Sequence, residues 1–232
     1  MSTREEILGK VRKSLGVGGG DAQAEAERRA TARARIAAPA RHPLPGRVAG
    51  KSAVELLGVL RAQLEASAVT VVDAASNDEV PDAISRYLRA QNLPQRVRLG
   101  SDPMLATLPW TRSPTLEAVH GRAELSDEVG VSSPVAGVAE TGTLILASGP
   151  DNPVTLNFVP ETHVVVLPAD RVVAGYEDAF ARVRQKFGAG TMPRTINMIS
   201  GPSRTGDIGG RIVMGAHGPR RMCVVLVGAP DR

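Results

Sequence analysis

Helix-like and strand-like patterns of hydrophobic residues alternate along the chain from about Lys51 onward. Apolar residues have helical spacing in three segments: Val54 to Leu64, Asn77 to Leu88 and Tyr176 to Phe187. Apolar runs of strand length occupy residues 69–72, 96–99, 116–119, 143–147, 163–167, 195–199 and 222–227. Because these runs lack a polar alternation, they are typical of a sheet that is covered on both faces. The pattern predicts an open α/β sheet flanked by helices.

The first 50 residues differ in composition from the rest. Residues 3–15 have the apolar spacing of a short amphipathic helix, and residues 21–36 favour a helix by their content of Ala, Arg and Glu. Residues 38–50 hold three prolines and two glycines, which is typical of an extended tether. We therefore divide the chain into a helical arm, 1–50, and an α/β domain, 51–232. The arm either docks on a partner or is a solvated tail that folds back on its own body.

The charge of the chain is concentrated in this arm. The formal net charge is +4, but residues 1–50 hold 10 basic and 5 acidic residues, and the domain holds 18 and 19. Aromatic residues make up only 3% of the chain, so platforms for base stacking are scarce. Nucleic-acid binding is therefore not expected as the main function.

Several other classes of protein are also disfavoured. Apolar runs stop far short of the roughly 18 residues of a membrane span. A single cysteine, Cys223, excludes an internal disulfide and an iron–sulfur cluster held by this chain alone. The start of the chain has acidic residues and no apolar core, unlike a secretory signal, so we expect a cytoplasmic protein.

The first motif with chemical potential leads into the strand predicted at 143–147. It places Glu140, Thr141, Gly142 and Thr143 together. Glycine permits close approach of a ligand to the backbone, and the hydroxyls and backbone of this turn are candidate ligand-binding groups. A glutamate held at such a turn would act as an acid, a base or a nucleophile. The structural alternative is that Glu140 accepts hydrogen bonds from the amides of the turn.

The second motif is the loop that follows the strand predicted at 195–199. Its candidate ligand-binding residues are Gly201, Pro202, Ser203, Arg204, Thr205 and Asp207. Backbone amides, hydroxyls and a guanidinium together suit a phosphate or a carboxylate. Ligands of open α/β sheets bind at the carboxyl ends of the strands, which favours this location. The alternative is a Gly-Pro turn followed by a capped helix.

The third motif is the histidine-containing turn before the last predicted strand, with His217, Gly218 and Pro219. His217 is a candidate acid or base and, with Gly218, a candidate binding residue, or else a turn histidine that bonds to the backbone. The four histidines have no metal-ligand spacing, so no metal site is predicted.

Four separated stretches, in this order, resemble the LUD-domain family, and within it the lactate utilization group. They are AGVAETGTLIL, NPVTLNFVPETHVVVL, SGPSRTGDI and GAHGPRRMCVVLV. The opening REEILGKVRKSLG resembles the first helix of that family. The resemblance implies a Rossmann-like sheet of the NagB/RpiA/CoA-transferase type. It also implies a part in oxidising L-lactate to pyruvate beside iron–sulfur partner proteins.

The resemblance carries over to individual residues. Glu140, Thr141 and Gly142 match the ETG of the family, Gly201 to Thr205 with Asp207 and Ile208 match its GPSRT-x-DI loop, and His217 to Pro219 match its HGP. Gly206 and Gly209 stand where the family usually has Ala and Glu. A mechanism that needs a second carboxylate beside Asp207 is therefore not supported here.

Three functional hypotheses follow. The first is a non-redox subunit of the lactate utilization system that binds a small anionic ligand and docks on the iron–sulfur proteins. The second is a CoA- or acyl-transferring enzyme that uses Glu140, by analogy of fold. The third is a regulatory adaptor that works through the basic arm. No flavin or nicotinamide fingerprint is present, and the cofactor and any catalysed reaction stay open.

Overall fold

The computed structural model describes residues 3–16, 22–38, 41–207 and 209–229. The chain forms two compact units, Met1–Pro43 and Leu44–Arg232. The first unit contains helices α1 (Thr3–Ser14) and α2 (Ala22–Ala37), neither of which buries a described side chain. These are the two helices that the arm was predicted to form, and the glycines at 18–20 lie outside the described residues.

The second unit contains the α/β domain and the last residues of the predicted tether. Val48 is buried there in the same apolar cluster as Leu57 and Leu60. Its helices are α3 (Ala53–Ala66), α4 (Val80–Ala90), α5 (Pro103–Ala106), α6 (Thr155–Phe158) and α7 (Tyr176–Phe187). None of the described helices is long and apolar enough to cross a membrane.

Twelve strands are present in the described residues of this unit. They are β1 (Thr70–Ala74), β2 (Arg96–Leu99), β3 (Glu117–His120), β4 (Val129–Ser132), β5 (Ala136–Val138), β6 (Thr143–Ala147), β7 (Thr162–Pro168), β8 (Val172–Val173), β9 (Ile196–Ile199), β10 (Arg204–Thr205), β11 (Val213–Met214) and β12 (Arg221–Val227). All seven predicted strands are found, with ends that shift by a residue or two.

The main sheet has six parallel strands in the order β1-β12-β7-β4-β2-β3. Its central strands are apolar on both faces, because successive side chains of a strand point to opposite sides. Val164 and Val166 pack in the cluster that contains α4. Val165 and Leu167 pack in the cluster that contains α3. The predicted open α/β sheet, covered on both faces, is confirmed.

A second sheet has the order β8-β5-β6-β9, with antiparallel pairs β5–β6 and β6–β9. Two of the seven predicted strands, β6 and β9, belong to it and not to the main sheet. Leu144 and Leu146 of β6 pack in the cluster of the main sheet and α3. Ile145, on the opposite face, packs with Ala179 and Val183 of α7. The second sheet therefore covers the main sheet on one side and carries α7 on the other.

Helix α3 supports the loops described below, and its two ends are well defined. A capping box starts it: Glu55 N donates to Ser52 Oγ at 3.4 Å, and Ser52 N donates to Glu55 Oε2 at 2.8 Å. At its end, Ser67 N donates to the carbonyl of Gln63 at 3.1 Å. Ala68 then adopts a φ of 61°, which turns the chain out of the helix.

Candidate functional site

Two of the three sequence motifs meet at the C-terminal end of α3. The turn at 140–142 lies so close to the helix that a Cβ on Gly142 would stand 2.9 Å from Gln63 Cβ. A Cβ on Gly201, in the loop after β9, would stand 2.9 Å from the carbonyl oxygen of Ser67. Gly142 also has a φ of 68°, where a side chain is strained. These two glycines allow both loops to rest on one helix end.

Four hydroxyl groups form a cluster between these loops, which we call the hydroxyl cluster: Thr141, Thr143, Tyr176 and Ser200. Thr143 Oγ1 lies 2.7 Å from Thr141 Oγ1 and 2.7 Å from Ser200 Oγ. Tyr176 Oη lies 2.9 Å from both threonine hydroxyls. A hydroxyl offers one proton and two lone pairs, so the three neighbours of the buried Thr143 occupy it fully. A ligand would therefore contact the three outer hydroxyls.

Glu140 stands beside this cluster with an unused carboxylate. Its main-chain N–H donates to the carbonyl of Ala174 at 3.1 Å, and its side chain is half-buried. Glu140 Oε2 would lie 3.6 Å from a Cβ on Gly175, and Glu177 Oε2 would lie 3.7 Å from the same point. Within the described part of the chain the Glu140 carboxylate accepts no hydrogen bond and forms no ion pair. The structural alternative, a glutamate that satisfies the amides of its turn, therefore has no support.

Ser203 joins the second motif to the third. Its N–H donates to the carbonyl of Pro219 at 2.8 Å, and its Oγ accepts from His217 N at 3.2 Å. A Cβ on Gly218 would lie 3.7 Å from Ser203 Cβ. The His217 side chain is exposed and bonds to no described residue, Glu140 included. The structure thus brings the second and third motifs together, but the imidazole of His217 does not bond to Glu140.

The rest of the second motif forms a hairpin and not a helix. Arg204 and Thr205 form β10, which pairs antiparallel with β11, so the alternative of a turn followed by a capped helix is wrong. Arg204 Nη2 donates to the carbonyl of Ser67 at 3.1 Å, where the helix dipole favours a cation. Thr205 Oγ1 donates to Asp207 Oδ2 at 3.2 Å. Pro202 is buried, and Arg204 and Asp207 are exposed.

The two unusual glycines of this loop differ in their conformations. Gly209 adopts a φ of 62°, which glycine takes easily and a glutamate would rarely take. Gly206 is exposed and has open space around its Cα. Ile208, between them, lies outside the described residues. The backbone conformation at position 209 therefore favours the glycine of this sequence over a glutamate.

Buried histidine and cysteine side chains lie in the main sheet. His163 Nε2 stands 2.6 Å from Ser132 Oγ, and both residues are buried. Burial lowers the pKa of His163 to about 4, so the ring is neutral near pH 7. Burial also raises the pKa of Cys223 to about 12, so its thiol stays protonated and unreactive near pH 7, and the residue packs as a small apolar one. The described residues contain no group of three or more His, Cys, Asp or Glu that could hold a metal ion.

A cavity of 610 Å³ lies away from all three motifs, at the carboxyl ends of β1 and β12. Arg61 of α3 and Asp73 of β1 line it and form an ion pair with each other. Because these two charges neutralise each other, this cavity offers a ligand fewer unpaired polar groups than the motif loops do. We therefore place the candidate site at Glu140 and the hydroxyl cluster.

Sequence reasoning missed two members of this cluster. The pattern gives Tyr176 only as the first apolar position of a helix, and it gives Ser200 as one hydroxyl of the second motif's loop without linking it to Thr143. The available signal is the position of Tyr176 directly after Gly175, at the first residue of a predicted helix. Its hydroxyl comes within reach of Thr141 only through the pairing of β5 with β8, which no local pattern encodes.

The motifs belong to a recognised family. A sequence model of the LUD domain matches residues 57–227. The chain belongs to the LUD domain family. The match covers all three motifs and both sheets.

Relatives of the LUD domain chain include proteins named lactate utilization protein C. That of Shouchella clausii is 35% identical over 106 residues, which are 46% of this chain and 46% of the relative. The chain thus spans about half the length of this relative. The protein of Geobacillus thermodenitrificans is 28% identical over 197 residues, 77% of this chain and 81% of the relative.

A solved structure has the same fold. The crystal structure of a DUF162 family protein from Deinococcus radiodurans superposes with a TM-score of 0.57 at 22% sequence identity. The superposition covers 77% of this chain and 99% of that chain. At this identity the likeness supports the α/β fold of the LUD domain and nothing beyond it.

Proposed function

We propose that this LUD domain protein acts in the utilization of L-lactate, as a subunit that binds a small anionic ligand at Glu140 and the hydroxyl cluster. The names of its relatives support the process. The half-buried Glu140 carboxylate, which no described residue engages, carries the assignment of the site. A half-buried carboxylate that bonds to no described residue is a candidate for binding a ligand or exchanging a proton with it.

The hydroxyl cluster and Arg204, whose loop rests on the same end of α3 as the turn of Glu140, suit complementary tasks. The outer hydroxyls of Thr141, Tyr176 and Ser200 both donate and accept, so they suit the oxygen atoms of a small hydroxy or keto acid. Arg204 uses Nη2 to bond the Ser67 carbonyl, and its other guanidinium donors would attract the carboxylate of the ligand. Glu140 would then exchange a proton with the ligand or orient its hydroxyl group.

Iron–sulfur partner proteins belong to this proposal. The chain has one cysteine, Cys223, which is buried in β12 with its pKa raised to about 12. Oxidation of lactate releases two electrons, and the described residues contain no group of three or more His, Cys, Asp or Glu that could hold a metal ion to accept them. Partners with clusters would accept those electrons, and this chain would contribute ligand binding and docking.

The test is growth on L-lactate of a strain that lacks the gene, complemented with the wild-type gene or with variants. We expect wild type to restore growth and Glu140→Gln to fail at equal protein level, because the amide cannot take up a proton. The matched control is Glu177→Gln, which removes the other carboxylate beside Gly175 and should restore growth. Copurification of the wild-type protein with iron–sulfur proteins would support the partner assignment.

Each other outcome changes the proposal. If Glu140→Gln restores growth fully, Glu140 is structural and the site assignment is wrong. If loss of the gene leaves growth on lactate unchanged, the process is wrong for this protein. If the isolated chain oxidises L-lactate by itself with an added electron acceptor, the non-redox role is wrong.

A second candidate function is transfer of an acyl group or of CoA. The same free carboxylate of Glu140, on a glycine-flanked turn, fits a nucleophile. It would attack the thioester carbonyl of an acyl-CoA, form a mixed anhydride and release CoA as its thiolate. Attack of that thiolate on the glutamyl carbonyl would then give a glutamyl-CoA thioester and release the acyl group as a carboxylate. Incubation with a panel of acyl-CoA thioesters, followed by intact-mass analysis, tests this idea. A mass increase present in wild type and absent in Glu140→Gln would support it. Its absence across the panel would remove it.

A further inference from the structure

A second cavity, of 290 Å³, lies at the carboxyl edge of the main sheet. Its walls come from segments that follow three neighbouring strands: Asp102 and Pro103 after β2, Val135 after β4, and Arg171 after β7. In open parallel sheets this edge is where ligands bind. It lies at the opposite end of β5 from Glu140, because Val135 precedes that strand and Glu140 follows it.

Three cations line this cavity, which we call the cationic cavity: Arg171, Arg182 and Lys186. Arg182 and Lys186 are four residues apart on α7 and so lie on one face of that helix. None of the three forms a salt bridge with any residue that the structure describes. Elsewhere in the domain basic side chains do pair with acids, as Arg98 does with Asp127 at 2.8 Å.

Two of these cations are held in place by hydrogen bonds to backbone carbonyls and to one serine hydroxyl. Arg171 Nη1 lies 2.9 Å from both Ser133 Oγ and the carbonyl of Pro134, to which it donates. Arg182 Nη2 donates to the carbonyl of Asp170 at 2.6 Å. Each guanidinium thus uses one nitrogen for anchoring and keeps further donors for a ligand. Both forks are therefore oriented before any ligand arrives, which lowers the entropy cost of binding.

The single acid of the cavity wall is already engaged. The carboxylate of Asp102 is buried and accepts a hydrogen bond from Met104 N at 3.0 Å, as the cap of α5. Three cations against this one carboxylate leave the cavity with an excess of positive charge. Such an excess suits a dianion better than a monoanion.

We propose that the cationic cavity binds a small phosphorylated molecule, with the phosphate between Arg171, Arg182 and Lys186. Guanidinium forks match the oxygen geometry of a phosphate, and a lysine adds a point charge. The volume is at the lower end of ligand pockets, which suits a phosphate monoester and not a dinucleotide. This site is separate from the one at Glu140 and does not depend on the proposed role in lactate utilization.

The test is a calorimetric titration of the purified full chain with inorganic phosphate and with glycerol 3-phosphate, at about 0.15 M salt to screen weak surface attraction. We expect binding of both, and a dissociation constant at least about tenfold higher for Arg182→Gln combined with Lys186→Gln. Lys186 Nζ stands 5.7 Å from the centroid of the Phe187 ring, so Lys186→Gln alone should fold normally and weaken binding about threefold or more. The control is Arg194→Gln, an exposed arginine outside the cavity.

Four outcomes would overturn the proposal. They are an absence of phosphate binding to wild type, equal binding to wild type and the double variant, an equal loss of binding in Arg194→Gln, and acetate binding as strongly as phosphate. The last outcome would show that the cavity takes monocarboxylates. Growth on lactate is not part of this test, so its result stands apart from that of the Glu140 experiment.

Discussion

The buried pair of His163 and Ser132 makes the stability of this protein depend on pH in a defined window. Both side chains are buried in the main sheet, and His163 Nε2 lies 2.6 Å from the serine hydroxyl. A protonated ring there would bring a charge into an apolar interior without a counter-charge from any residue that the structure describes. Burial accordingly lowers the pKa of His163 from 6.5 to about 4.

The sign and size of the effect follow from this shift. The unfolded chain binds the proton near pH 6.5, and the folded chain binds it only near pH 4. The stabilising contribution is therefore complete above about pH 6.5 and is lost as the pH falls towards 4. The free energy of unfolding should decrease by about 2 kcal/mol between about pH 7.5 and pH 5, from this one group. Carboxylates titrate mostly below this window, so they contribute little to it.

The assay is denaturant unfolding at both pH values, followed by the fluorescence of the single tryptophan, Trp110. His163→Gln should be less stable than wild type at the higher pH, but its decrease between the two pH values should be smaller by about 2 kcal/mol. The control, His217→Gln, changes an exposed ring and should keep the decrease of wild type. If His163→Gln and wild type lose the same free energy, the argument that burial keeps this ring neutral is wrong.

Two further predictions concern the loops on α3. Gly142→Ala should lower the free energy of unfolding by about 1–3 kcal/mol, because φ is 68° and the new Cβ would stand 2.9 Å from Gln63 Cβ. Thermal unfolding measures this loss, and the control is Gly206→Ala, where the new Cβ would lie in open space. Thr143→Val should lower the free energy of unfolding by about 1–3 kcal/mol, because it removes the hydroxyl that bonds to three neighbouring hydroxyls. Thr107→Val, at an exposed position, should lower it less, and equal losses in the two variants would contradict the role of Thr143.

Much of the fold could be predicted because its strongest signals are local. The apolar runs at β7 and β12 are long and uninterrupted, and α3 and α7 have clear helical spacing. Five strands were missed: β4 and β5 each contain a glycine that interrupts the apolar run, and β8, β10 and β11 have two residues each. Those glycines are required by packing: a Cβ on Gly130 would stand 2.4 Å from the carbonyl oxygen of Leu156. A glycine that is required by a contact with a distant part of the chain interrupts the apolar run, and the strand then cannot be recognised from the sequence.

The site was predictable only in part, for a related reason. The motifs identified Glu140 and Thr141 because these residues stand together in the chain. The presence of β6 and β9 in a separate sheet could not be predicted, since an apolar run does not specify its pairing partner. That pairing brings Ser200 to Thr143, and the start of α7 brings Tyr176 to both threonines. The cationic cavity has the same origin, since its residues follow different strands.

The support of both loops by α3 has a consequence for the evolution of this sequence. Gln63 and Ser67 belong to no motif, yet their atoms limit the size of the residues at 142 and 201. A bulkier side chain at either glycine would have to be accompanied by a change in the helix beneath it. The nearest helix atoms are a Cβ and a backbone carbonyl oxygen, which nearly every residue has, so glycine should persist at positions 142 and 201 among descendants of this chain. Selection on the site would thus act through the half-buried end of α3, which holds residues outside the three motifs.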